Sequence, residues 1–173
     1  AVRDIKKLTD PHMIGIGSLV PLLFRTNGAN RFKNPINFVI DAIRTVREEF
    51  PDSLLHAFGV GSSRTMHLMY SLGVDSLDST GWRIKAAYGI IQLPGIGDRY
   101  PITRNNGRPS LKASEKPILE KCQCPSCREL SIDERIQLLN DSFKDRAIHN
   151  ANLFLNEKQI IQKIIKYGTV KIF

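Results

Sequence analysis

Outside one six-residue segment the chain contains no cysteine; all three of its thiols lie in CQCPSC, residues 122–127. An odd number of thiols packed so closely cannot staple a fold, and no apolar signal segment precedes them. A secreted disulfide framework is therefore not expected, and a reducing, cytoplasmic setting fits better. Long apolar runs are also missing: no stretch approaches the ~18 residues needed to span a membrane, so the 42% hydrophobic content of the 173 residues is available for a buried core. Acidic residues are scarce, with 17 Asp and Glu against 25 Lys and Arg, a formal charge of +8. That imbalance suits a polyanionic partner, although charge alone does not separate nucleic-acid binding from ordinary surface basicity. There is no internal repeat and no low-complexity segment. Nor does a methionine open the chain: VRDIKKLTD runs directly into the apolar MIGIGSLVPLL, which reads as a fragment or as the second half of a split protein.

The residues that are present read first as alternating strands and helices. MIGIGSLV, residues 13–20, is short, apolar and β-branched and predicts a buried strand ending in a turn, followed by the polar loop FRTNGANRFKN. From Asn34 the period changes to threes and fours through Ile36, Val39, Ile40, Ile43, Val46 and Phe50. Asn34 is the expected N-cap and Pro35 the first residue of an amphipathic helix of about four turns. SLLHAFGV (53–60) predicts a second strand, Met66, Leu68, Met69 and Leu72 mark a second helix, and VDSLD (74–78) predicts a third strand. Short connections in that order imply parallel strands joined by right-handed crossovers, an α/β fold. After Asp78 the alternation stops. Residues 79–121 are rich in turn-formers and charges and predict a long excursion without a further strand-helix unit. Residues 131–146 and 148–167 then predict two helices, the second marked by Leu153, Phe154, Ile160, Ile161, Ile164 and Ile165.

Cys122, Cys124 and Cys127 form C-x-C-x2-C, and three thiolates need one more donor to close a tetrahedron around Zn²⁺. His149, 22 residues beyond Cys127 and at the expected start of the last helix, is the best placed; His12, His56 and His67 belong to the strand-helix region. Four protein ligands leave no position for water, so the metal is expected to be structural. Without a metal the segment would be three reactive thiols in a loop.

The carboxyl ends of parallel strands are where such folds collect their chemistry. Here those ends present Gly17-Ser18-Leu19, Gly59-Val60-Gly61 and Asp78. The glycines permit close approach of a ligand or phosphate, or simply make tight turns. Asp78 closes an apolar strand either as a capping aspartate or as a chemical group. Asp75, three residues before it, faces the other side of the strand.

In this order HAFGVG (56–61), GVDSLDS (73–79) and C-x-C-x2-C followed by IHN (148–150) resemble the carboxyl-terminal half of the tRNA-guanine (queuine and archaeosine) transglycosylases, over about residues 12–160. IGSLVPLL (16–23) is similar to the base-binding strand of the archaeosine branch. DSTGWRIKAAYGIIQLPGIGDR (78–99) looks more like the branch that inserts 7-deazaguanines into DNA.

The resemblance implies the carboxyl-terminal part of a (β/α)8 TIM barrel with a zinc-binding insertion and terminal helices. Residues 1–100 would form the partial barrel and 101–173 the zinc subdomain. It implies exchange of guanine in tRNA for a free 7-deazaguanine, with the same exchange on DNA or a non-catalytic, zinc-stabilised nucleic-acid-binding subunit as alternatives. Asp78 falls on the nucleophile. Gly17, Ser18 and Leu19 fall on the base-recognition backbone, with Ser18 replacing the second glycine of the bacterial branch. Gly59 and Gly61 lie near ribose and phosphate, and Cys122, Cys124, Cys127 and His149 are the zinc ligands. Around the zinc, Lys121, Arg128, Lys144 and Arg146 are expected to hold phosphates, and after the nucleophile Trp82 to stack while Arg83, Lys85 and Arg99 meet the backbone. Three strands do not make a barrel, so the missing amino-terminal half is expected in the same protein or in a partner subunit, a dimer included.

Overall fold

The structure, a computed structural model, describes residues 2–24, 31–104, 107 and 109–166, with only the backbone of Ser63, Arg64, Ile165 and Lys166. Parts of two expected loops, residues 25–30 and 105, 106 and 108, therefore lie outside the described residues, as do the expected helix end at Tyr167 and the side chain of Ile165. Two compact units divide between Ser79 and Thr80, and residues 163–166 group with the first.

The first unit is built of α1 (Val2–Leu8), β1 (Met13–Ile16), α2 (Val20–Leu23), α3 (Pro35–Glu49), β2 (Leu54–Ala57), α4 (Ser63–Ser71) and β3 (Ser76–Leu77). The three strands pair in the order β1-β2-β3, all parallel, with Gly15 opposite His56 and His56 opposite Ser76. Each strand is shorter than its apolar run, because Ser18 (φ 59°) and Gly59 (φ 73°) turn left-handed and end the ladder. Leu55 is fully buried, and Ala57 points into a core shared with Val39 and Ile43 of α3 and with Val60, Met69, Leu72 and Val74. Pro35 does open α3, but Asn34 makes no side-chain cap; only its carbonyl takes the Phe38 N–H, at 3.1 Å. The full capping box belongs to α4, where Ser62 Oγ accepts from Thr65 N and Thr65 Oγ1 accepts from Ser62 N. At the amino end of the sheet Arg47 donates to the carbonyls of Pro51, Ser53 and Gly73 and pairs with Asp75 at 2.6 Å, while Asp75 accepts from Leu55 N. Asp75 thus ties the strand starts together, at the opposite end from Asp78.

The stretch expected to be a long excursion without a further strand-helix unit is made of short elements: α5 (Gly81–Ala87), an antiparallel hairpin of β4 (Ile91–Leu93) and β5 (Gly97–Arg99), a 3₁₀ turn (Ala113–Glu115) and α6 (Lys116–Glu120). The glycines that suggested irregularity are the punctuation of these short elements. Gly89 (φ 77°) ends α5, with Ile90 N returning to Lys85 O at 2.9 Å, and Gly95 (φ 69°) turns the hairpin. α7 (Ile132–Asp141) and α8 (Phe143–Lys166) follow. They separate at Ser142 rather than at Ala147, because Ser142 is extended (φ −100°, ψ 114°) and its hydroxyl accepts from Asp145 N as a helix start. His149 consequently sits one full turn inside α8 instead of at its beginning. Of the apolar residues expected to mark this helix, Leu153 and Ile161 are buried and Ile160 is about half exposed. Ile91, Leu93, Leu119 and Leu139 form a core that takes in Cys124 and Cys127. Among the described residues no helix is long and apolar enough to cross a membrane.

Candidate active site and metal centre

The cysteines occupy a knuckle between α6 and α7. Cys124 O receives both Cys127 N (2.9 Å) and Arg128 N (3.1 Å), closing the turn that brings the sulfurs together. Buried Arg135 of α7 fixes the knuckle from behind by donating to the carbonyls of Leu119, Glu120, Cys122 and Leu130. From α8, His149 places Nδ1 at 3.4, 3.8 and 3.5 Å from the sulfurs of Cys122, Cys124 and Cys127, and all four donor atoms lie within 4.8 Å of one another.

These spacings fit a metal. A tetrahedron with Zn–S of about 2.3 Å and Zn–N of about 2.0 Å has S···N edges of roughly 3.5 Å. The other imidazole nitrogen, Nε2, lies 3.0 Å from Gln92 O and donates to it, which leaves the Nδ1 lone pair for the metal. The proton chemistry agrees. Cys122 is driven far below the ordinary thiol range by hydrogen bonds from Cys124 and Cys127, whereas Cys127 is driven far above it by its hydrogen bonds with Cys122 and Cys124 and by burial. Burial opposes a charge on His149, but the Cys122 and Cys124 sulfurs outweigh it and push the imidazole up to about 9. Three touching sulfurs cannot all ionise without positive charge among them, which a divalent cation supplies. With Cys₃His closed, the site is of the structural type.

The sheet gathers the other candidates along its carboxyl edge. Successive residues of a strand alternate sides, so Gly15 and Gly17 of the first strand, His56 and Phe58 of the second and Ser76 and Asp78 of the third line one face, opposite the buried Leu55 and Ala57. Asp78 Oδ1 accepts the Gly59 N–H at 2.6 Å, and its side chain is 57% exposed. A Cβ at Gly61 would overlap Ser79, and one at Gly15 would strike the Phe58 ring, so both glycines answer to close packing. Ser18 adopts left-handed backbone without being glycine, a conformation common at functional turns. Its neighbour Leu19 is buried in the core, whereas Gly17 and Ser18 are exposed.

Sequence reasoning missed His56, weighed there only as a metal ligand. Its Nε2 faces Asp78 Oδ1 at 3.5 Å and its Nδ1 lies 2.8 Å from Ser76 Oγ. The period of two along HAFG sets it opposite the buried Leu55 and Ala57, but its approach to Asp78 depends on the β2–β3 register. Two expected phosphate-binding arginines are otherwise engaged. Arg146 is buried and donates to the carbonyls of Ala86, Leu139 and Asn140. Arg99 is held in a bidentate pair by Glu115 at 2.7 and 2.8 Å. Lys85 likewise meets Asp98 at 2.9 Å, whereas Arg83 is exposed. Trp82 is half-buried and its carbonyl accepts from Asn150.

A family profile described as queuine tRNA-ribosyltransferase matches residues 12–173. The tRNA-guanine(15) transglycosylases of Pyrococcus abyssi and Pyrococcus furiosus are each 29% identical over 161 residues, covering 88% of this chain and 23% of theirs. That of Pyrobaculum aerophilum is 29% identical over 171 residues, covering 98% of this chain and 30% of its own. The chain thus spans about a quarter of the length of the curated relatives it matches.

Proposed function

Because this chain belongs to the queuine tRNA-ribosyltransferase family, we propose that it forms the nucleophile-bearing and metal-bearing part of an enzyme that exchanges a guanine in tRNA for a free 7-deazaguanine. The observation that carries this reading is the Asp78 carboxylate, standing at the carboxyl end of β3 with one oxygen fixed by Gly59 N–H and its face open. Asp78 attacks C1′ of the target nucleoside as guanine departs, giving a glycosyl-aspartate. The incoming base then attacks the same carbon and restores the original configuration. Gly17, Ser18 and Leu19 offer backbone to the base, and the turn at Gly59 and Gly61 lies beside the ribose and phosphate. The target base has to leave its stack for this chemistry, and water has to be kept from the intermediate. Both tasks call for the rest of a (β/α)8 barrel, supplied by the remainder of the protein or by a partner.

Cys122, Cys124, Cys127 and His149 would hold the zinc, whose contribution is to cross-link the knuckle to α8. Lys121 and Lys144 would meet phosphates, with Arg128, which lies 3.3 Å from Glu129, beside them. tRNA is the polymer favoured by the names of the similar archaeal proteins. The basic residues whose stretch suggested DNA are partly consumed, Arg99 by Glu115 and Lys85 by Asp98.

The test is a guanine-exchange assay on the complete enzyme, run on tRNA and on duplex and single-stranded DNA at matched salt, with Asp78→Ala beside it. Label is expected in tRNA alone, and Asp78→Ala is expected to abolish exchange and the covalent adduct while still binding tRNA. Label only in DNA overturns the polymer; an adduct formed by Asp78→Ala overturns the nucleophile.

A further inference from the structure

His56 stands where it can act on one particular oxygen of Asp78. Oδ1 receives the Gly59 N–H at 2.6 Å and faces His56 Nε2 at 3.5 Å, and among the described residues no hydrogen bond reaches Oδ2. The imidazole is itself held in place. Ser76 Oγ lies 2.8 Å from Nδ1, one strand over in register, and the Phe58 ring packs edge-on against it at 4.5 Å between centroids. With the Ser76 hydroxyl donating to Nδ1, the imidazole proton lies on Nε2, directed at Asp78. The His56 side chain is only 22% exposed, so little water competes for this contact. The two oxygens of Asp78 are therefore unlike: Oδ1 is bound to the β2 end by donors and Oδ2 is left to react.

We propose that His56 is a positioning residue that makes Asp78 a good leaving group, an inference that rests on the reading of Asp78 as the nucleophile. In the first step Oδ2 forms a bond to C1′ while the C1′–N9 bond breaks and its electron pair leaves with guanine. In the second, N9 of the incoming base bonds to C1′, the C1′–Oδ2 bond breaks, and its pair returns to the carboxylate. The proton gained by the departing guanine is matched by the one the incoming base gives up, so His56 ends as it began. In the glycosyl ester Oδ1 is a neutral carbonyl oxygen; as the ester breaks it takes up negative charge. Donors at Oδ1 are stronger to a charged acceptor than to a neutral one, so the His56 N–H favours breakdown of the adduct over its formation.

The experiment follows the covalent adduct in the complete enzyme with labelled tRNA, trapped on a denaturing gel, and separately the rate at which added base discharges it. In His56→Leu the adduct is expected to form at an undiminished rate and to discharge about tenfold more slowly or worse, so that it accumulates. His56→Gln, which keeps an N–H near the Nε2 position, is expected to restore most of the discharge rate, and Ser76→Ala to lose a smaller part of it. A merely structural role would lower formation and discharge together and leave the adduct fraction unmoved. Discharge by His56→Leu at the wild-type rate, or equal slowing of both steps, overturns the role of His56 while leaving Asp78 as nucleophile. Absence of any adduct in the wild-type enzyme overturns Asp78 and the role of His56 with it.

Discussion

The Nε2 atom of His149 lies 3.0 Å from the carbonyl oxygen of Gln92. One imidazole thus joins two structures: Nδ1 faces the three sulfurs, and Nε2 is committed to β4. The next residue grips the same strand, since Asn150 Oδ1 accepts from Gln92 N at 2.8 Å and Asn150 Nδ2 donates to Ile90 O at 3.0 Å. His149 and Asn150 therefore serve β4 much as a neighbouring strand would, which gives the metal a mechanical reach as far as the β4–β5 hairpin.

One zinc per chain is expected, held by Cys122, Cys124, Cys127 and His149. Cys124→Ser and His149→Ala should each weaken metal affinity at least about tenfold, read by elemental analysis after dialysis against a graded chelator. Zinc retained at wild-type strength by both variants would show that the ligands lie elsewhere.

Asn150 is fully buried, and its replacement by Ala strands the Gln92 N–H and the Ile90 carbonyl without partners. A buried group left unsatisfied costs about 1–3 kcal/mol. Asn150→Ala is therefore expected to lower unfolding free energy by roughly 3 kcal/mol in urea titration while leaving zinc stoichiometry intact. The amides of residues 91–93 should lose hydrogen-exchange protection ahead of the rest of the unit. A loss spread evenly over the whole unit would mean that the clasp is not local.

The Cys122, Cys124, Cys127 and His149 cluster was readable because its signal is local: three cysteines fall in six residues, and the one histidine in the second unit is His149. The parallel sheet was readable from apolar runs separated by helical periods. The hairpin of β4 and β5 was not, since three-residue strands carry too little alternation to stand out from the turn residues around them. Ser142 hid the α7–α8 break for a similar reason, as serine is tolerated inside helices and nothing in its neighbours marks the extended conformation. Arg99 and Arg146 were misjudged because the charge of an arginine is visible in sequence while the carbonyls and carboxylate that consume it come from 6 to 60 residues away. His56 escaped because only the register β2–β3 brings it to Asp78.

The Arg99–Glu115 pair offers a test through pH. Hydrogen bonds from Arg99 hold the Glu115 carboxyl down at about 2, against an ordinary value near 4.5, and they outweigh the opposing effect of burial; the Lys112 N–H adds a third bond at 3.0 Å. A depressed carboxyl pKa means that the folded protein prefers the ionised form more strongly than the unfolded chain does. The pair's contribution is thus complete above about pH 4.5 and is lost as pH falls from there through about 2. Glu115→Gln removes the charge and leaves Arg99 buried without its counter-ion, so at pH 7 its melting temperature is expected to fall by roughly 5 °C or more. As the medium is acidified toward pH 2.5 the wild-type protein loses the same contribution, and the gap between the two should narrow steadily. Acid also protonates the cysteine thiolates and releases metal, but it does so in both proteins, so the difference in melting temperature isolates the pair. A gap that stays constant from pH 7 to pH 2.5 would mean that Glu115 supports the turn before α6 through shape alone, with its charge contributing nothing.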